Sequence, residues 1–284
     1  MKFPKALFLG LLILSFTNSC VSAVIVREKT SETESVTKNT SNQRQLNDIS
    51  LNGKVYSALW QQNSGEFRAL CHQAFNSART ELDRKLTENN PRPLAIVTDI
   101  DETFLDNSPY AVTQAKKGKE FDQESWLEWT SKADAVAFPG SVKFYNYAAS
   151  KNITVFYITN RNLNDKAGTV KNLKNLGFPF ADDEHVMVMS DTSNKESRRK
   201  EVMKDYEIFM YLGDNLSDFS EVFYHKNQAE RNRLTDEFSA EFGKTFIVLP
   251  NSGYGDWEGA LPGFNYKLSP AEKDKVILEN VKAY

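Results

Sequence analysis

The chain has 284 residues, 40% of them hydrophobic and 12% aromatic, enough for a well-buried core in one or two domains. Its 35 Lys and Arg against 38 Asp and Glu leave a net charge of −3, which excludes the one-sided basic footprint of a protein that binds polymeric nucleic acid. Two cysteines and three histidines (His72, His185, His225), with no zinc-ligand spacing among the histidines, argue against zinc. Any metal should be hard and held by oxygen.

The first element is a targeting segment over residues 1–20. Lys2 and Lys5 form a charged start, and Ala6 to Phe16 is an apolar run of eleven, too short to span a bilayer but suited to a signal peptide. It ends Leu-Ser-Phe-Thr-Asn-Ser-Cys20, which resembles a bacterial lipoprotein signal whose cysteine is lipidated and becomes the new N-terminus, although Thr17 stands where leucine is usual. A plain secretory cleavage site is one competing reading of Cys20, and a disulfide to Cys71 is another. Residues 21–46, rich in Ser, Thr, Asn, Glu and Lys, bury too little to fold and read as a flexible tether. As random coil they would reach about 25–30 Å. The remaining domain is expected over 47–284.

From Ser57 to Leu86, apolar residues recur every three or four positions (Leu59, Trp60, Phe67, Leu70, Cys71, Phe75), which predicts one or two amphipathic helices ended by Asn89-Asn-Pro-Arg-Pro93. Five short apolar runs then predict strands: Leu94–Thr98, Ile153–Ile158, His185–Met189, Ile208–Leu212 and Phe246–Leu249. Helical patterns over Val142–Ala149, Asp165–Leu176, Lys195–Tyr206 and Phe219–Phe242 alternate with them. The expected fold is therefore α/β, a parallel sheet flanked by helices, with ligands outside the carboxyl ends of the strands. Between Phe104 and Pro139 no strand pattern is visible. That stretch, with Tyr110, Phe121, Trp126 and Trp129, reads as a mainly helical cap inserted at about 105–138.

The strand ends deliver a chemically coherent set. The first gives Asp99-Ile-Asp101-Glu-Thr103, the second Thr159-Asn160-Arg161, the segment after the third gives Lys195, and the fourth Gly213-Asp214 to Asp218. A carboxylate such as Asp99 can attack phosphorus and form an acyl-phosphate. Asp101 can give a proton to the leaving oxygen and later take one from water. Clustered carboxylates need a cation, and Mg²⁺ suits a site of carboxylates, phosphate oxygen and water. Its candidate ligands are Asp99, the main-chain carbonyl of Asp101, Asp214, and Asp218 either directly or one shell out. Thr159, Asn160 and Lys195 are the candidate phosphoryl-binding residues. The bland alternatives are a solvated turn at Asp99 to Asp101, a helix cap at Asp214 to Asp218, and solvated charge in the basic run Asn194–Lys200.

These four motifs together resemble the haloacid dehalogenase (HAD) superfamily. The run Asp99-Ile-Asp-Glu-Thr-Phe-Leu-Asp-Asn-Ser-Pro-Tyr110 resembles its class C acid phosphatases, the lipoprotein e 5′-nucleotidase family, over roughly residues 50–284. The resemblance implies a Rossmann-like HAD core and a Mg²⁺-dependent phosphomonoesterase acting on 5′-nucleotides and nicotinamide mononucleotide. It implies aromatic contacts to the ring, matched here by Trp126 and Tyr254. Phe104 departs from the smaller aliphatic residue expected at its position. Expected partners are a small phosphomonoester and a membrane reached through lipidated Cys20, in a bacterial outer membrane or at the cell surface, with a homodimer left open. Two other functions compete: a surface lipoprotein that binds nucleotide or phosphate without turnover, and a phosphotransferase of the same fold.

Overall fold

The computed structural model describes residues 48–284; the signal segment, Cys20 and the tether lie outside them. Two helices come first, α1 (Ile49–Asn63) and α2 (Gly65–Lys85), separated at Ser64, whose hydroxyl accepts the Phe67 N–H at 3.0 Å and so caps the second. Then follow β1 (Leu94–Thr98), β2 (Leu105–Asp106), α3 (Ser108–Lys116), α4 (Gln123–Lys132), β3 (Val136–Ala137) and α5 (Ser141–Ser150). The second half contains β4 (Thr154–Ile158), α6 (Lys166–Leu176), β5 (Val186–Met187), α7 (Glu196–Asp205), β6 (Glu207–Gly213) and α8 (Gln228–Glu237). It closes with β7 (Phe246–Val248), α9 (Asp256–Gly259) and α10 (Pro270–Asn280).

Five strands form one parallel sheet in the order β5-β4-β1-β6-β7. The chain winds from β1 to one side and then to the other, so the topological switch falls at the carboxyl end of β1, where a crevice opens. Alternation along the strands builds two core layers. Leu94, Ile96, Val155, Tyr157, Met210 and Leu212 meet Phe75, Leu82, Tyr145 and Leu173 from α2, α5 and α6. Ala95, Val97, Phe156, Ile158 and Tyr211 meet Val202, Phe223 and Leu234 on the α7 and α8 face. Phe104 is fully buried, with its ring 4.7–5.6 Å from those of Tyr145, Tyr157 and Phe178, so the larger side chain is absorbed into the first layer.

Several expected elements differ. The long helix over Phe219–Phe242 is instead a 3₁₀ turn at Glu221–Phe223 followed by α8, because His225 lies in the left-handed region (φ 50°) and Asn227 caps a fresh start. The strand over His185–Met189 shrinks to two residues at the sheet edge, paired only with β4. The insertion is helical, through α3 and α4, but a two-residue antiparallel ribbon, β2 with β3, pinches its ends together, too short to leave a periodic pattern. Helix α10 is an addition to the expected elements, and Ser269 and Glu272 form a capping box in front of it. Among the described residues no helix is long and apolar enough to cross a membrane.

Candidate active site

Asp99 extends β1 by one residue, its N–H donating to the Leu212 carbonyl at 2.9 Å. The chain then reverses: the N–H groups of Phe104 and Leu105 both return to the Ile100 carbonyl at 3.1 Å, and Glu102 takes a left-handed conformation (φ 54°) at the crest. Buried Phe104 anchors this turn from below.

Three carboxylates converge there. Oxygens of Asp99, Asp214 and Asp218 lie within 4.8 Å of one another. Lys195, at the start of α7 and 4% exposed, donates through Nζ to Asp99 Oδ1 and, at 2.7 Å, to Asp218 Oδ1. The Thr103 hydroxyl lies 3.3 Å from Asp99 Oδ2 and 3.1 Å from Asp214 Oδ1. Asn251 donates to the other Asp214 oxygen at 2.8 Å. Gly213 permits this crowding, since a Cβ there would overlap the Asp218 side chain.

Burial, only partly offset by Lys195, pushes the Asp99 carboxyl up to about 7, and Asp218 and Asp101 add to the rise. Burial, then Asp218 and Asp99, raises Asp214 well above the usual carboxylate range. Burial pulls the Lys195 ammonium down, but Asp218 and Asp99 outweigh it and hold it above its ordinary value. Three acids against one lysine leave the cluster short of positive charge. The all-oxygen donor set fits a hard divalent cation and offers nothing to a soft one.

Asp101 faces a second group. Arg161 forks onto it, Nη2 to Oδ1 at 2.7 Å and Nε to both oxygens at 3.1 Å, while its Nη1 is tied to Thr169 at 3.0 Å. Asn107 donates to Asp101 Oδ1 at 2.8 Å. The buried Thr159 hydroxyl accepts the Arg161 N–H at 3.1 Å and reaches Asp101 Oδ2 only at 3.4 Å, so it lies on the Asp101 side of the cleft. Asn160 is exposed at the cleft, its side-chain oxygen accepting from Arg198 at 3.0 Å. Burial, then Asp101, pushes the Glu102 carboxyl up to about 8.

In the basic run after Lys195, Lys200 is exposed but Arg198 and Arg199 turn inward. Arg198 donates to the Thr159 carbonyl at 2.5 Å, and buried Arg199 donates to the carbonyls of Ser217 and Asp218 at 3.1 and 3.0 Å. These arginines brace the Thr159 and Asp218 segments from behind. Sequence reading also passed over Glu102, Thr103 and Arg161, although all three stand inside the quoted motifs. Asn107 stands in the quoted run Asp99–Tyr110 with no role assigned to it there, and Asn251 lies outside the four motifs.

The cleft opens into a cavity of about 780 Å³ whose walls include residues of α1, α3 and α10. Trp126 lines it but is buried, edge-on to Tyr110 at 4.9 Å and with the Arg161 guanidinium 5.5 Å from its ring centre. Trp129 points inward instead, its Nε1 donating to Asn107 at 2.8 Å. Phe121 (60% exposed), Tyr254 (42% exposed) and Tyr266 (69% exposed) are aromatic residues that stand open at the cavity wall. Cys71 is fully buried with a free thiol, raised by burial to about 12.

A doubly wound parallel sheet with an acid cluster and a lysine at its switch point defines an α/β protein whose site can hold a hard cation. The chain belongs to the HAD superfamily, subfamily IIIB, the acid phosphatases, whose family model matches residues 18–257. Its fold is that of the class C acid phosphatase from Bacillus anthracis, solved with tungstate bound: the TM-score is 0.80 at 40% identity, over 84% of this chain and 99% of that one. Among curated proteins it resembles a stem 31 kDa glycoprotein of Glycine max, 32% identical over 125 residues (42% of this chain, 49% of that protein). It likewise resembles acid phosphatase 1 of Solanum lycopersicum, 30% identical over 131 residues (43% and 50%). The match spans about half the length of these curated relatives.

Proposed function

We propose that this protein is a Mg²⁺-dependent phosphomonoesterase that works through an aspartyl-phosphate on Asp99. One observation carries the reading: a buried carboxylate at the switch point faces a buried lysine and two further acids, with a second carboxylate two residues on. Asp99 Oδ attacks phosphorus as the ester P–O bond breaks, and Asp101 gives its proton to the leaving oxygen. Asp101 then takes a proton from water, whose oxygen attacks the acyl-phosphate, releasing phosphate and freeing Asp99. Lys195 offers its positive charge to the phosphoryl oxygens during both displacements. Arg161 and Asn107 fix the direction of the Asp101 carboxylate. Asp99, Asp214, Asp218 and the Asp101 carbonyl would hold the Mg²⁺, which when bound neutralises the acids and polarises the phosphoryl group. That the Bacillus anthracis phosphatase takes up tungstate, an oxyanion like phosphate, supports this reading.

The substrates we infer are 5′-mononucleotides and nicotinamide mononucleotide. The cavity volume lies in the range of small-molecule sites, and the open rings of Phe121 and Tyr254 offer faces for a planar base. Lipid anchoring at Cys20 and residence in a bacterial envelope remain part of the proposal, supported by the leader sequence alone. The test is phosphate release by the domain across nucleotides and sugar phosphates, with and without Mg²⁺. Release dependent on Mg²⁺ and abolished by Asp99→Asn supports the enzyme. Tight binding without release would favour the binding lipoprotein, and transfer to an added alcohol in preference to water would favour the phosphotransferase.

A further inference from the structure

Tyr254 is 42% exposed, yet its hydroxyl is not turned to water: it donates to Glu102 Oε2. The other oxygen of that carboxylate accepts the Asn107 N–H at 2.8 Å. Glu102 is 3% exposed and sits in the left-handed region, an unusual place for a glutamate and one that the surrounding turn must hold. Its own N–H donates to the Leu105 carbonyl at 3.0 Å. The backbone of Tyr254 is tied as well: its carbonyl accepts from Asn251 Nδ2 at 3.1 Å, and the same amide reaches Asp214 at 2.8 Å. Asn107 closes the circuit, donating to Asp101 at 2.8 Å and accepting from Trp129 of α4 at 2.8 Å.

Tyr254 is thus held at its hydroxyl by Glu102 and at its main-chain carbonyl by Asn251, which also binds Asp214 of the acid cluster. An untethered surface tyrosine would sample several rotamers and lose that freedom when a ligand stacked on it. We propose that Glu102 is a positioning residue for selectivity: by bridging the Tyr254 hydroxyl to the Asn107 backbone it holds the ring ready for phosphomonoesters that carry a planar base. Glu102 acts through Tyr254 and does not touch the substrate. The inference rests on the phosphomonoesterase reading and on a ring-bearing substrate.

The test compares kcat and KM for a 5′-mononucleotide and for glycerol phosphate in the wild type, Glu102→Ala, Glu102→Gln, Tyr254→Phe and the Glu102→Ala/Tyr254→Phe pair. In Glu102→Ala the nucleotide-to-glycerol-phosphate ratio of kcat/KM should fall about 2- to 12-fold, the cost of immobilising one side chain, and mainly through the nucleotide KM. Glutamine should restore the ratio, since its amide can donate to the Tyr254 oxygen while its carbonyl accepts from Asn107. Tyr254→Phe, which keeps the ring and removes only the hydroxyl, should reproduce the fall, and the pair should fall no further. It carries the test if Glu102→Ala does not fold. An unchanged ratio, a glutamine variant as poor as alanine, or additive losses would overturn the assignment while leaving the phosphatase standing. A wild type that hydrolyses neither ester would overturn both.

Discussion

Asp99 is held among acids that repel it, so its replacement separates chemistry from stability. Asp99→Asn should lower turnover by about 10³-fold or more, because an amide cannot attack phosphorus. The metal-free variant should melt no lower than the wild type, since one of three crowded carboxylates has gone. Rapid-quench kinetics and calorimetry check the two halves, and activity within tenfold of wild type would sink the mechanism. Gly213→Ala places a methyl where the Asp218 side chain lies, and displacing that group by an ångström should cost about 10²-fold in kcat/KM. At this scale Asp99, Asp101, Lys195, Asp214 and Asp218 stand at or after strand ends that the sequence makes legible, and the structure brings Asp99, Lys195, Asp214 and Asp218 together. Arg161, two residues beyond Thr159, went unread, because nothing in a sequence says that a guanidinium will turn inward onto Asp101.

Helix α7 shows where reading by charge fails and reading by period could have succeeded. Lys195, Arg198, Arg199 and Val202 recur at three and four, the spacing of one helix face, and three of them are buried. Arg199→Met should destabilise the protein by about 2–3 kcal/mol, the worth of charge-assisted bonds to two carbonyls, as read from urea denaturation. It should also weaken Mg²⁺ binding by loosening Asp218. The cap sorts its aromatics in the same way. Phe121→Ala should raise the nucleotide KM by about 5- to 150-fold, the stacking energy of one base as a ratio, and leave glycerol phosphate nearly untouched. Trp126→Ala instead removes a buried ring that supports Arg161, so both esters should suffer. Exposure decides between the two rings, and exposure is not written in a sequence of alternating aromatics.

For the whole molecule the buried acids set a pH dependence. Asp99, at about 7, and Glu102, at about 8, keep their protons in the folded state across a range where the unfolded chain, at 3.8 and 4.5, has lost them. The native state then binds more protons, so stability falls as pH rises from about 4 to 8. Below that range the lowered carboxyls, among them Asp182 beside His185 and Glu272 at the α10 cap, are protonated and their contribution is lost. The metal-free domain should therefore be most stable near pH 4–5, and added Mg²⁺ should raise its melting temperature more at pH 7.5 than at pH 5. A calorimetric series in chelator and in Mg²⁺ checks the crossing. A melting temperature that climbs steadily to pH 8 without metal would refute it.

Helix α10 lines the cavity through Lys273, Val276 and Ile277, yet none of its residues is buried. Its ties to the body include the Asp274 carboxylate, which accepts the Ile49 N–H at 2.9 Å, and the Lys273 bridge to Glu120. A wall on which the core does not depend can be rewritten cheaply. Substitutions along α10 could drift through many sequences while the acid cluster and the sheet stayed fixed. Laboratory evolution toward bulkier or more apolar esters should accordingly accumulate its changes on this helix first.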